Sequence, residues 1–130
     1  MKSEVSRKSS LQISGQAAEQ VALEHAQHHK LRLIARNFNV RGGELDLVML
    51  DGTTLVFIEV RLRNRNGLVS ALESVNPSKQ RRLIHAAQCF LAAHPEHAAR
   101  PCRFDVIGIL HGNGSQSLEW RKNAFEANSY

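Results

Sequence analysis

Glu44, Asp46, Glu59 and Arg61 all fall in one stretch, Gly43 to Arg63, which reads GELDLVMLDGTTLVFIEVRLR. Carboxylates that meet in space are costly: two charges about 4 Å apart repel by roughly 4 kcal/mol at an effective dielectric near 20. A hard divalent cation such as Mg²⁺ removes the conflict, because it takes carboxylate oxygens as ligands. The other solution is that the acids sit on frayed strand ends, separately hydrated or paired with arginines. Spacing alone leaves both open.

Two strands must position these groups, joined at Asp51-Gly52, a dipeptide suited to a tight hairpin turn. Alternate residues of a strand share a face. Leu45, Leu47 and Met49 are therefore expected on one face, with Val56, Ile58, Val60 and Leu62 completing it. The opposite face is apolar near the turn (Val48, Leu50, Leu55, Phe57) and acidic far from it, where Glu44, Asp46 and Glu59 gather with Arg61.

The chain has 130 residues and 42% hydrophobic content, enough for one compact domain. Its polar first ten residues lack the apolar core of a signal peptide, and no apolar run approaches a membrane span. Cys89 and Cys102 form no CxxC pair and read as reduced thiols of a cytosolic protein. Charge is segregated. Residues 1–42 carry +4, residues 43–60 carry −4, residues 61–82 carry +5, and the remainder balances. An acidic centre between basic segments suits a metal-dependent enzyme acting on a polyanion, with bases holding phosphates and carboxylates holding the ion. A generic basic surface is the plainer alternative.

In order, residues 1–13 read as a flexible N-terminal arm, residues 14–126 as a single domain and residues 127–130 as a tail. Ser14 to Lys30 favours helix, with Ala17, Ala18, Val21, Ala22 and Ala26 as its apolar side and Glu19 near enough to the edge to reach a sheet site. His25, His28 and His29 fit a solvated, mildly basic helix end better than a zinc site. Leu31 to Val40 reads as a strand before the Arg41-Gly42-Gly43 break. After the hairpin, Asn64 to Ser70 is a polar loop. Asn76-Pro77 starts a helix that runs to Ala93: Asn is a favoured N-cap, and proline at the first helical position loses no needed hydrogen bond. Leu83, Ile84, Ala87, Phe90 and Leu91 should be its buried side. Lys79, Arg81 and Arg82 in its first turns oppose the helix dipole unless an anion such as phosphate binds there. Cys102 to Leu110 is a central strand, in which Asp105 needs a structural partner such as an arginine. Gly112-Asn113-Gly114 turns the chain into an edge strand, Leu118 to Phe125. Strands linked by a hairpin and flanked by helices make a one-domain α/β sandwich.

The order αβββαβ, with Asp46 on the second strand and Glu59-Val60-Arg61 on the third, resembles the PD-(D/E)xK nuclease superfamily. More closely, Gly43–Val48, Leu55–Arg61 and Arg103–Val106 resemble the YraN family of small, uncharacterised bacterial proteins, with the likeness running from about Ser14 to Phe125. The resemblance implies a restriction endonuclease-like αβββαβ core, a central mixed sheet flanked by helices. It implies that Asp46 and Glu59 hold magnesium, or manganese in its place, with the Val60 carbonyl and Glu19 in support and Glu44 tuning the site. The cation would polarise the scissile phosphate and lower the pKa of the attacking water. Arg63, Arg65, Lys79, Arg81 and Arg82 would contact phosphates. The superfamily expects lysine where this chain has Arg61. Arginine stays charged and binds phosphate in a fork, while lysine places or helps deprotonate water.

Two functions of different class follow. One is a Mg²⁺-dependent endonuclease hydrolysing DNA phosphodiester bonds, with branched structures among its candidate substrates and Asp46, Glu59 and Arg61 as catalytic residues. The other is a nucleic-acid-binding module of the same fold that has lost catalysis. A weaker third reading is an adaptor whose basic segments meet an acidic protein. Duplexes and junctions present two strands, so a homodimer would suit either. A membrane partner is not expected.

Overall fold

A computed structural model describes residues 14–64, 74–112 and 114–127. The proposed arm, Arg65 with most of the polar loop, and all of the tail but Ala127 lie outside them. The elements are α1 (Gly15–His28), β1 (Arg32–Val40), β2 (Gly43–Asp51), β3 (Thr54–Asn64), α2 (Pro77–Ala93), a 3₁₀ turn (Pro95–His97), β4 (Cys102–Gly112) and β5 (Ser115–Phe125). The strands form one sheet in the order β1-β2-β3-β4-β5. β3 and β4 are parallel, joined through α2, and the other neighbours are antiparallel. This is the expected mixed α/β sheet, consistent with a restriction endonuclease-like core, with the last strand longer than the sequence suggests.

Local chemistry sets the boundaries. Ser14 caps α1 by accepting from Ala17 N–H, and Asn76 caps α2 by accepting from Lys79 N–H at 2.9 Å. Gly52 takes the positive φ of +62° that its place in the two-residue Asp51–Thr54 hairpin requires.

Each face of the sheet carries a core. α1 packs Ala18, Ala22, Leu23 and Ala26 onto Leu47, Met49, Val56, Ile58, Ile107 and Ile109. α2 packs Leu83, Ile84, Ala86, Ala87 and Phe90 onto Val48, Leu50, Leu55, Phe57, Phe104 and Val106. Ala17, expected inside, is exposed, while Leu23 is buried in its place. Leu91 is only half-buried.

One expectation fails in an informative way. Leu45 does not share a face with Leu47 and Met49; it lies in the α2-side core with Phe38, its partner on β1. Asn37, between the Arg36–Leu47 and Phe38–Leu45 pairs, has a φ of +52°. The strict two-residue alternation therefore breaks beside Asp46. At the same place the β2–β3 ladder ends, its last pair being Leu47 with Ile58.

Asp105, buried in β4, is fully partnered. Both its oxygens accept from Arg103, Oδ2 also from the Trp120 indole and Oδ1 from Asn123 N–H. Asn123 has a φ of +53° at a β4–β5 register shift. The aspartate thus satisfies a backbone donor released by a bulge, the structural role expected of it. Cys89 and Cys102 are free thiols.

α2 comes unusually close to β2. A Cβ on buried Gly43 would fall on the Arg82 carbonyl oxygen, which belongs to the helix backbone and cannot step aside. Gly43→Ala should therefore cost about 1–3 kcal/mol, read as a lowered Tm. Gly15→Ala, which meets open space, should leave Tm unchanged or slightly raised.

Candidate functional site

Where the β2–β3 ladder stops, Val60 N–H has no strand partner on the β2 side. Asp46 supplies one: Oδ2 accepts from Val60 N–H at 2.8 Å. A strand residue's N–H and C=O point to the same side, as paired residues show when they exchange both bonds. The Val60 carbonyl therefore faces the same gap. The β3–β4 ladder continues past this point to Asn64, so the gap is held open on a rigid strand.

Glu59 joins Asp46 across the gap. It is buried, at 3% exposure, and a hydrogen bond links the two carboxyl groups. Burial, then the Asp46 charge, pushes the Glu59 pKa up to about 8. Burial also raises Asp46, against the favourable Val60 N–H bond. Burial therefore favours a protonated pair over two ionised carboxylates.

Two cations reach Glu59 Oε2 from different elements. Arg61 Nη1 lies 3.3 Å away on the same strand, and Lys79 Nζ lies 3.5 Å away on the first turn of α2. Their pull toward the ionised form does not overcome burial. Arg61 is further tied by Nε to Ser74 Oγ at 2.9 Å.

The other predicted residues stand around this pair. Glu19, on α1, has its pKa raised by burial and by the Asp46 charge, while Arg36 and a hydrogen bond from Asn37 oppose that rise. Glu44 is exposed and adds a repulsive charge to Asp46. Arg63 is half-buried, donates to the Leu62 carbonyl, and has its pKa lowered by burial and by Arg61. Arg81 and Arg82 are exposed on α2, and only Lys79 of that trio reaches the carboxyl pair. The sequence reading cast Lys79 as a phosphate contact and missed its link to Glu59. The Asn76-Pro77 start signalled the helix, though not the strand its first turn would meet. Arg36, Asn37 and Ser74 were missed without any comparable signal.

Among the described residues, no three His, Cys, Asp or Glu side chains gather as a ready-made metal site. The histidines of α1 instead pack as rings: His25 and His29 lie 4.5 Å apart, and both meet Trp120 edge-on. The Asp46–Glu59 pair nevertheless suits a hard divalent cation. Its donors are carboxyl oxygens with a backbone carbonyl facing the same gap, and its shared proton is the charge such a cation would replace. Asp46, Glu59 and Val60 would hold the ion, with Glu19 in electrostatic range of Asp46. No helix among the described residues is long and apolar enough to cross a membrane.

The sequence model of the uncharacterised protein family UPF0102 matches residues 18–109. A UPF0102 protein of Stutzerimonas stutzeri (strain A1501) is 53% identical over 116 residues, covering 89% of this chain and 97% of the relative. One from Pseudomonas entomophila (strain L48) is 54% identical over 114 residues, covering 87% and 93%. The matched region contains Glu19, Asp46, Glu59, Arg61 and Lys79.

The raised pKa of Glu59 gives stability a definite pH dependence. The unfolded carboxyl releases its proton near 4.5 and the folded one near 8. Between those values the folded protein holds the extra proton, so stability falls as pH rises and that contribution is lost above about 8. In metal-free buffer, Tm should drop steadily from pH 5 to pH 8.5. Glu59→Gln should flatten that slope, as followed by circular dichroism melts.

Proposed function

The chain belongs to the uncharacterised protein family UPF0102, the YraN family of its sequence resemblance, and from that premise we propose that it is a divalent-metal-dependent phosphodiesterase acting on DNA. The observation that carries this reading is the buried Asp46–Glu59 pair at the parted β2–β3 strands, flanked by Arg61 and Lys79. Two carboxyl groups buried against each other are expensive for stability alone, and well-packed apolar residues would fill such a place at no loss. Cations on two walls suit a ligand that brings negative charge of its own.

Each group has a stated task. Asp46 and Glu59, ionised, would hold a magnesium or manganese ion with the Val60 carbonyl. Such an ion, when bound, polarises a phosphoryl oxygen and lowers the pKa of an attacking water. Lys79 and Arg61 flank the pair with positive charge that would offset the charge building on the phosphate. In the reaction a water oxygen bonds to phosphorus as a phosphorus–ester oxygen bond breaks. The water loses a proton to solvent and the departing oxygen gains one. Arg63 of β3, with Arg81 and Arg82 on α2, would carry the flanking backbone of the nucleic acid.

The site opens beside the middle of β3, on the side of that strand away from its parallel neighbour β4. The fold by itself does not decide the chemistry, since sites rather than folds carry function.

Labelled single strands, duplex, flap and four-way junction should separate the readings. At least one should be cut with Mg²⁺ or Mn²⁺, and none in chelator. Asp46→Ala and Glu59→Ala should each slow cutting by about a thousandfold while still retarding DNA in gels. Retardation without cutting in every metal would replace the enzyme with a binding module. In that case Arg81→Ala and Arg82→Ala should each lower the salt dependence of binding by about one unit of slope.

A further inference from the structure

We infer that Lys79, rather than Arg61, is the side chain that meets the reacting phosphate, an inference that rests on the phosphodiesterase reading above. The two cations share one oxygen of Glu59, but their remaining bonds differ. Arg61 is held at both ends of its guanidinium: Nη1 lies on Glu59 Oε2 and Nε donates to Ser74 Oγ at 2.9 Å. A planar fork so tied bridges β3 to the segment that enters α2. Its remaining N–H groups point only where that fixed plane sets them, and re-aiming them at a ligand would break one of those bonds.

Lys79 approaches from the opposite wall. Its ammonium is 3.5 Å from Glu59 Oε2, and its side chain is 28% exposed against 4% for Glu59. An ammonium has three donors, and contact with one carboxyl oxygen leaves others to turn toward solvent and a ligand. The helix turn that carries it is also pre-positioned. Lys79 N–H is bound by the Asn76 cap at 2.9 Å, and the next residue, Gln80, ties its side chain to the Val75 carbonyl at 3.0 Å. Gly43 lets the body of the helix settle onto β2 at backbone contact. The helix turn that carries the charge is thus placed by a cap and a close helix–strand approach before any ligand arrives, and such placement makes a donor to developing charge more effective.

Lys79 also sits on the carboxyl oxygen that a metal ion would take. Glu59 would hold the ion and now holds the ammonium, so in the loaded site Lys79 would be left to donate to a non-bridging phosphate oxygen. Lys79 transfers no proton in this scheme; it donates a hydrogen bond and offsets charge.

The test uses the full chain and the DNA that the wild type cuts best. Lys79→Ala should cut about a hundredfold more slowly with DNA affinity within about threefold. Methylammonium in the buffer should restore part of the rate, and Lys79→Arg should retain more of it than Lys79→Ala. In calorimetric titrations without DNA, Lys79→Ala should bind Mg²⁺ more tightly, because the competing ammonium is gone. Arg61→Lys added to Lys79→Ala should not restore cutting. A Lys79→Ala rate within about threefold of wild type would overturn the inference. So would full restoration by Arg61→Lys, or a slow variant with weakened Mg²⁺ binding and no response to amine. A wild type that cuts nothing would end the phosphodiesterase reading itself, and would be told apart because no variant is then needed to see it.

Discussion

The parting of β2 from β3 after the Leu47–Ile58 pair is the constraint on which the site depends. A central strand that loses its neighbour exposes backbone donors and acceptors inside the protein, where each must find a partner. Asp46 answers for the Val60 N–H and in doing so is drawn into the sheet. Glu59, one residue earlier on the same strand, is held against it. Burial then does what solvent would prevent: with the Asp46 charge alongside, it pushes the Glu59 pKa up to about 8. The local backbone break and the unusual acidity are one feature seen at two levels.

The rest of the molecule keeps that gap in place. β3 stays paired with β4 through Asn64, so only one side of the strand opens. α1 closes one face with small alanines and brings Glu19 within electrostatic range of Asp46. α2 closes the other at the separation that Gly43 permits, and its capped first turn delivers Lys79. On the β4 side of β3, across the strand from the gap, Arg103 links Asp105 to Asp51 of the hairpin. Asp105 is fully hydrogen-bonded and has a structural task, which sets it apart from the carboxyl pair at the site.

Much of this was legible in the sequence, and for physical reasons. Caps and turn residues act locally, so Asn76-Pro77 marked α2 and Asp51-Gly52 marked the hairpin. Strand alternation placed Leu55 and Phe57 opposite Val56 and Ile58, and it put Asp46 and Glu59 at the same end of the hairpin. Alternation failed at Leu45, because the strand turns over where its neighbour leaves, and a pattern with period two carries no sign of that. The partners of Arg61 and Lys79 were hidden for another reason. Ser74 and Glu59 meet them across a connection whose path the residue types do not dictate, and contacts of that kind are settled by tertiary packing.

Counting the protons released when Mg²⁺ binds would test the central claim most directly, namely that Asp46 and Glu59 hold a proton in order to exchange it for a divalent cation. Calorimetric titrations at pH 7 in buffers of different ionisation enthalpy give that number. The account predicts release of roughly one proton per ion bound, falling to about zero in Glu59→Gln. Binding heats that do not change with buffer, or no Mg²⁺ binding at all, would contradict it.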